Sequence, residues 1–155
     1  MSHIPFFVLS LCFILVHSEN VHRKFCRDVD TSMCSVHSVT VDPCINAPRF
    51  CRMKRRINHI VTVDFTPRFS ADFLNLAVHG DNDNDDNFDD VFMETQNGCK
   101  YATCPMNDGE EQSMSVKFNI NANFQSSKFP IRMKLWNPEN ENQACCFTFR
   151  ASYVN

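Results

Sequence analysis

Glycine is nearly absent from this chain: Gly80, Gly98 and Gly109 are the only three in 155 residues. That scarcity leaves no glycine-rich loop to cradle a phosphate, and neither G-x-S-x-G nor H-E-x-x-H occurs. His37, His59 and His79 fall in or beside separate predicted strands, so no acid–base or nucleophilic constellation forms and an enzyme is not expected. No C-x-x-C pair is present, and His37 near Cys34 lacks a second pair of ligands, which argues against zinc. No cofactor is implied. There is no N-x-S/T sequon, so N-glycosylation is not expected. Fifteen basic residues against eighteen acidic ones give a net charge of −3, which excludes a general nucleic-acid binder. No window of helical length carries a 3.6-residue period.

One apolar run is present, from Ile4 to Val16, with His3 alone ahead of it and Val16-His17-Ser18 behind. It is too short to span a bilayer, which takes roughly 20 apolar residues. It reads as a signal peptide over residues 1–18, even without Lys or Arg at its start. The remainder has the length of a single domain. Eight cysteines follow the leader: Cys26, Cys34, Cys44, Cys51, Cys99, Cys104, Cys145 and Cys146. An even count behind a secretory leader predicts disulfides and an oxidising compartment.

Beyond the leader the chain is written in period two. Ile57, His59, Val61, Val63 and Phe65 alternate with Asn58, Ile60, Thr62 and Asp64. Met114, Val116, Phe118, Ile120, Ala122 and Phe124 alternate with Ser115, Lys117, Asn119, Asn121 and Asn123. Ile131, Met133 and Leu135 alternate with Arg132 and Lys134, and Phe147, Phe149, Ala151 and Tyr153 with Thr148, Arg150 and Ser152. Shorter candidates are Val36–Val41 and Phe73–Val78. Half-buried strands of this kind belong to antiparallel sheets. Pro43, Pro48, Pro67, Gly80, Asn97-Gly98, Asp108-Gly109, Pro130 and Asn137-Pro138 punctuate them. About seven short strands in one domain predict an all-β, immunoglobulin-like sandwich.

Eight cysteines allow 105 pairings. Cys44 and Cys51 flank one short loop and Cys99 and Cys104 another, and close pairs of this kind usually pin loops. Adjacent Cys145 and Cys146 then share Cys26 and Cys34 between them. Cys145 has the strand phase of Phe147 and Phe149, and Cys146 that of Thr148 and Arg150, so the two thiols point to opposite faces.

Four segments together resemble the ML domain family, the lipid-recognition domain of myeloid differentiation protein two, dust-mite group-two allergens and the soluble Niemann–Pick type C sterol carrier. They are Cys34-Ser35-Val36-His37-Ser38-Val39-Thr40-Val41-Asp42-Pro43-Cys44, Val78-His79-Gly80, Gly98-Cys99-Lys100 with Cys104-Pro105, and Cys146-Phe147. The likeness covers residues 34–155, with 19–33 left as a leading segment, and is greatest to the sterol carrier and the mite allergens. It implies the pairs Cys34–Cys146, Cys44–Cys51 and Cys99–Cys104, which leaves Cys26–Cys145 as a fourth; a free Cys145 beside Phe147 is the alternative.

The resemblance also implies an apolar lipid, a sterol or fatty acid, held between two sheets. Twelve of the fifteen phenylalanines lie beyond residue 18, a supply of apolar surface without polar obligations. The expected lining is Val63, Phe65, Leu76, Val91, Phe92, Met93, Val116, Phe118, Ile120, Phe124, Phe129, Pro130, Met133, Phe147 and Phe149. The portal is expected at Val91, Phe92, Phe124, Phe129 and Pro130. Burying roughly 400 Å² of lipid at ~25 cal/mol/Å² would yield at most about 10 kcal/mol before the costs of binding. The chain is expected to be a secreted or lysosomal monomer that delivers its cargo to a membrane surface or a membrane-protein acceptor. The alternative is a secreted, disulfide-rich interaction module of the innate-recognition type, with a fully packed core and no lipid.

Two stretches depart from the family pattern. Asp81–Asp90 is acidic where the sterol carrier is apolar and proline-rich. Asp83, Asp85, Asn87 and Glu94 fall at EF-hand places, but Phe88 takes the place that demands glycine, so the stretch reads as a solvated, mobile loop rather than a calcium site. Lys54-Arg55 stands where the family often has Lys-Gly. Arg52–Arg56 is a basic run suited to anionic headgroups, to dibasic processing, or simply to a solvated strand edge.

Overall fold

The computed structural model describes residues 19–45, 47–120, 124 and 127–154. The expected leader over 1–18 lies outside them, as does the stretch 121–123 of the strand predicted to run to Phe124. Among the described residues ten strands form: β1 Glu19–Asn20, β2 Arg23–Phe25, β3 Cys34–Asp42, β4 Cys51–Lys54, β5 Asn58–Pro67, β6 Asn75–Gly80, β7 Asp90–Asn97, β8 Gln112–Asn119, β9 Lys128–Asn137 and β10 Asn140–Val154. They make two sheets, one ordered β1-β3-β5-β8 and the other β2-β10-β9-β6-β7, with β4 also on β10. All pairings are antiparallel except β4 with β10. The sandwich is therefore as expected, but with ten strands rather than about seven. The additions are short or irregular: β1, β2 and β4 have two, three and four residues, and the register of β7 on β6 shifts twice, once at Phe92.

Alternation does the packing. Along β8 every second residue is buried, from Gln112 through Met114 and Val116 to Phe118. Val61, Val63 and Phe65 of β5 oppose Leu76 and Val78 of β6, Ile131, Met133 and Leu135 of β9, and Phe147 and Phe149 of β10 within one apolar cluster. At Asn137 the chain reverses tightly into β10; its Oδ1 accepts from the Glu139 amide at 3.0 Å, and Asn137 pairs with Asn140. His59, fully buried in β5, sets its two ring nitrogens 3.0 Å and 2.9 Å from the carbonyls of Pro43 and Lys54. It is a core residue rather than a base, tying the β3–β4 connection to the sheet.

The long disulfides are exchanged relative to the family-derived pairing. Cys34 bonds Cys145 and Cys26 bonds Cys146, rather than Cys34–Cys146 and Cys26–Cys145. Strand phase supplies the reason. Cys34 shares the buried face of β3 with Val36 and so faces the interior, as Cys145 does. Cys146 points to the outer face of β10 and meets Cys26, just past β2, with Cα atoms 5.5 Å apart. From Cys26 the leading segment crosses that outer face, where Val29 packs on Ala77, Trp136 and Ala144. Cys44–Cys51 and Cys99–Cys104 close their short loops.

Candidate functional site

β7 and β8 are the edge strands of opposite sheets and share no backbone pairing. The gap between them is closed by aromatic rings. Phe92 of β7 lies nearly parallel to Phe118 of β8, with centroids 6.0 Å apart. Phe124 and Phe129 approach Phe92 edge-on at 5.2 Å and 6.1 Å, and each other at 4.2 Å. Edge-to-face aromatic pairs at such distances add about 0.5–1.5 kcal/mol each beyond area burial.

A bulge makes this cluster. Val78 pairs with Met93 and His79 with Val91, so Phe92 is an extra residue in β7. The bulge turns Phe92 and Met93 toward the interior and leaves Val91 42% exposed. The rings need a bare backbone beneath them: a Cβ at Gly80 would lie 2.5 Å from Phe92 Cζ and 3.2 Å from Phe124 Cε2.

Most of the expected lining converges here. Val63, Phe65, Leu76, Met93, Val116, Phe118, Ile120, Phe124, Phe129, Met133, Phe147 and Phe149 are all buried in one cluster, with Phe92 packed on it. Val91 is on the solvent side, and Pro130 is half-buried on the outer face of β9, beside a recess that belongs to the other side of the sheet. Phe129 is 1% exposed and so is a core residue rather than a turn residue.

Several supporting residues carried no signal as such. Arg55, read as part of a basic run, donates to the Phe124 carbonyl at 2.8 Å while its guanidinium sits 3.6 Å over the Tyr153 ring. It fixes the backbone that carries Phe124. Tyr101 donates to Gln96 Oε1 at 2.9 Å and borders Met93 Sδ at 3.9 Å. Gln112 accepts from the Thr103 amide at 2.9 Å, fastening the Cys99–Cys104 loop to β8.

The acidic loop is anchored at one end. Asp81 is buried, and its carboxylate accepts from the amides of Asp85 at 3.2 Å and Asp86 at 2.9 Å, while residues 83–87 are solvated. His79, on the outer face of β6, is held below its ordinary pKa by burial first and then by the Arg132 charge, with Glu94 opposing. The basic stretch Cys51–Lys54 is a strand clamped along β10, with Met53 fully buried between Arg52 and Lys54.

Comparison with known proteins agrees with this architecture. A family model described as ML domain matches residues 20–153. An MD-2-related lipid-recognition protein of Manduca sexta is 32% identical over 124 residues, covering 79% of this chain and 78% of that protein. Among solved structures, a Niemann–Pick type C2 protein from Japanese carpenter ant superposes with a TM-score of 0.62 at 17% identity, over 84% of this chain and 98% of that one. The C-terminal domain of Wzt gives 0.54 at 7% identity, over 90% and 81%, and so shares the fold alone.

Proposed function

Since the chain belongs to the ML domain family, we propose that it is a secreted, non-enzymatic carrier of an apolar lipid, a sterol or fatty acid, held between its two sheets. The observation that carries this reading is the β7–β8 edge. No backbone hydrogen bond joins these strands, and among the described residues Phe92, Phe118, Phe124 and Phe129 stand together at that edge, over an interior of apolar side chains. Displacing these rings breaks packing contacts but no backbone ladder. A lipid tail entering there would meet Val116, Ile120, Met133 and Phe147 and would need no polar partner. The long disulfides lie toward the far edge, where Cys34–Cys145 ties the sheets together, so opening would be confined to the β7–β8 side. Delivery to a membrane surface or membrane-protein acceptor is the corresponding role.

The second reading, an interaction module with a filled core, draws on the burial of these same residues against one another: Ile120 and Met133 are wholly inaccessible. One experiment separates the two. Protein purified from a eukaryotic secretion host is extracted with organic solvent and the extract analysed by mass spectrometry, and delipidated protein is titrated with a fluorescent sterol and a fluorescent fatty acid. The carrier reading expects stoichiometric lipid in the extract or saturable uptake. Neither lipid nor uptake would leave the filled-core module.

A further inference from the structure

The outer face of the six-stranded sheet carries a site of a different kind. Register places Lys24 of β2, Thr148 of β10, Arg132 of β9 and His79 of β6 in one row across four strands. Arg150, two residues along β10, lies on the same face. Over them opens a recess of about 500 Å³. Its floor is Arg132, Thr148 and Arg150. One wall is the leading segment after β2, fixed to the floor by Cys26–Cys146, and the other is the acidic loop. The volume falls within the range of small-molecule sites.

The recess is lined by five cationic residues, Lys24, Arg27, Arg49, Arg132 and Arg150, against three carboxylates, while Arg23 borders it but has the inward phase of Phe149. All three carboxylates are already engaged. Asp28 pairs with Arg132 at 2.6 Å, Asp86 with Arg27 at 2.8 Å, and Asp81 is occupied by two backbone amides. Arg23 donates to the Val36 carbonyl. Among the described residues, Lys24, Arg49 and Arg150 have no acidic partner. Positive charges gathered in a recess and left without counter-charge repel one another, and an anion relieves that cost. Burial and the nearby Arg132 already hold His79 toward its neutral form on this face.

We propose that this recess binds a phosphate-bearing organic anion, with Arg150 on its floor, beside the Asp28-paired Arg132, and Lys24 and Arg49 at its rim supplying the counter-charge. Guanidinium forks match phosphate oxygens in pairs, and such charge-assisted bonds are roughly twice as strong as neutral ones. The organic part follows from the aromatic flank: Phe88 is half-buried, with the Arg132 guanidinium 5.6 Å from its ring centre. The proposal is independent of any lipid between the sheets.

The phosphate could belong to a soluble ester or to a lipid headgroup, and the test distinguishes them. Full-length oxidised protein, labelled with nitrogen-15, is titrated with pyrophosphate. In parallel it is co-sedimented with phosphatidylcholine vesicles with and without phosphatidic acid. Saturable shifts at the Lys24, Thr148 and Arg150 amides, with Phe118 unmoved, are expected with pyrophosphate if the ligand is soluble. Sedimentation that requires phosphatidic acid, without pyrophosphate shifts, assigns a headgroup. In either case Lys24→Glu with Arg150→Glu should weaken binding at least about tenfold, since each lost charge-assisted bond is worth that much. Both side chains are exposed, and the milder pair Lys24→Gln with Arg150→Gln covers a failure of the first to fold. No response to either ligand, or binding that both paired variants retain, overturns the proposal.

Discussion

Cys145 and Cys146, consecutive in β10, leave the strand toward opposite faces: the first reaches Cys34 across the core, the second Cys26 over the outer surface. One strand thus carries a link between the sheets and a link between the domain and its leading segment. Each closes a loop of more than a hundred residues, with separations of 111 and 120. In the chain-entropy model a loop of that length is worth about 4–5 kcal/mol.

Removing the two cysteines singly should therefore free different partners. Cys145→Ser leaves Cys34 open to alkylation with Cys26–Cys146 intact, and Cys146→Ser leaves Cys26 open with Cys34–Cys145 intact. Each should lose about 2–3 kcal/mol in denaturant unfolding, because the bridge that remains leaves the broken one closing only a short effective loop. Peptide mapping of the alkylated, non-reduced variants reads the pairing directly. Labelling of Cys26 in the Cys145→Ser protein would refute the assignment.

Phe92 contacts three other rings and sits on an edge strand. Phe92→Ala should cost about 2 kcal/mol, less than a fully buried Phe deletion, because the side chain is only partly buried. It should also speed exchange of a fluorescent fatty acid, since the gap loses its central ring. Stopped-flow uptake and a urea midpoint measure the two effects separately.

Two glycines offer a matched comparison. At Gly98 an added Cβ would sit 2.8 Å from Leu135 Cδ1, 2.9 Å from Leu74 Cβ and 3.1 Å from the Leu74 backbone carbon. Backbone cannot yield, so Gly98→Ala should destabilise by about 1–3 kcal/mol. At Gly80 the obstacle is the far end of Phe92, a ring that can swing. Gly80→Ala should cost less in thermal unfolding while displacing Phe92, a change visible in its ring proton shifts.

Stability should depend on pH through His79. Folding lowers its pKa, so the unfolded chain binds the proton more readily. The contribution is complete above the ordinary histidine titration range and is lost as pH falls through that range toward the folded value. Urea midpoints between neutral pH and pH 5 should decline for the native chain and decline less for His79→Gln. Identical slopes would remove His79 as the cause.

Period-two alternation made β5, β8, β9 and β10 readable because each has one face on the core. β7 was hidden by its bulge, which breaks the alternation at Phe92, and β4 because Arg52 and Lys54 look like a charge run once Met53 is overlooked. The interior positions followed from inward phase. Pro130, expected at the portal, faces out because its neighbour Ile131 faces in. The disulfide exchange was contained in the same rule: Cys34 keeps phase with Val36, and Cys145 with Phe147. The charged recess had no linear signal, because its cations come from β2, β9, β10 and the stretches flanking Cys26 and Cys51, which only the sheet register brings together.

β10 is fifteen residues long and pairs with β2, β4 and β9. Among the described residues β2 has no other strand partner, so this early segment waits for the latest one. At ribosomal speeds of 5–20 residues per second that delay is on the order of ten seconds. Throughout it Cys26 and Cys34 are close together in sequence and their true partners do not yet exist. Premature bonding between them is the natural misstep, and thiol exchange must undo it before the sandwich can close. The yield of this protein from any expression host will therefore be set by the oxidant and isomerase that host provides, more than by the stability of the finished fold.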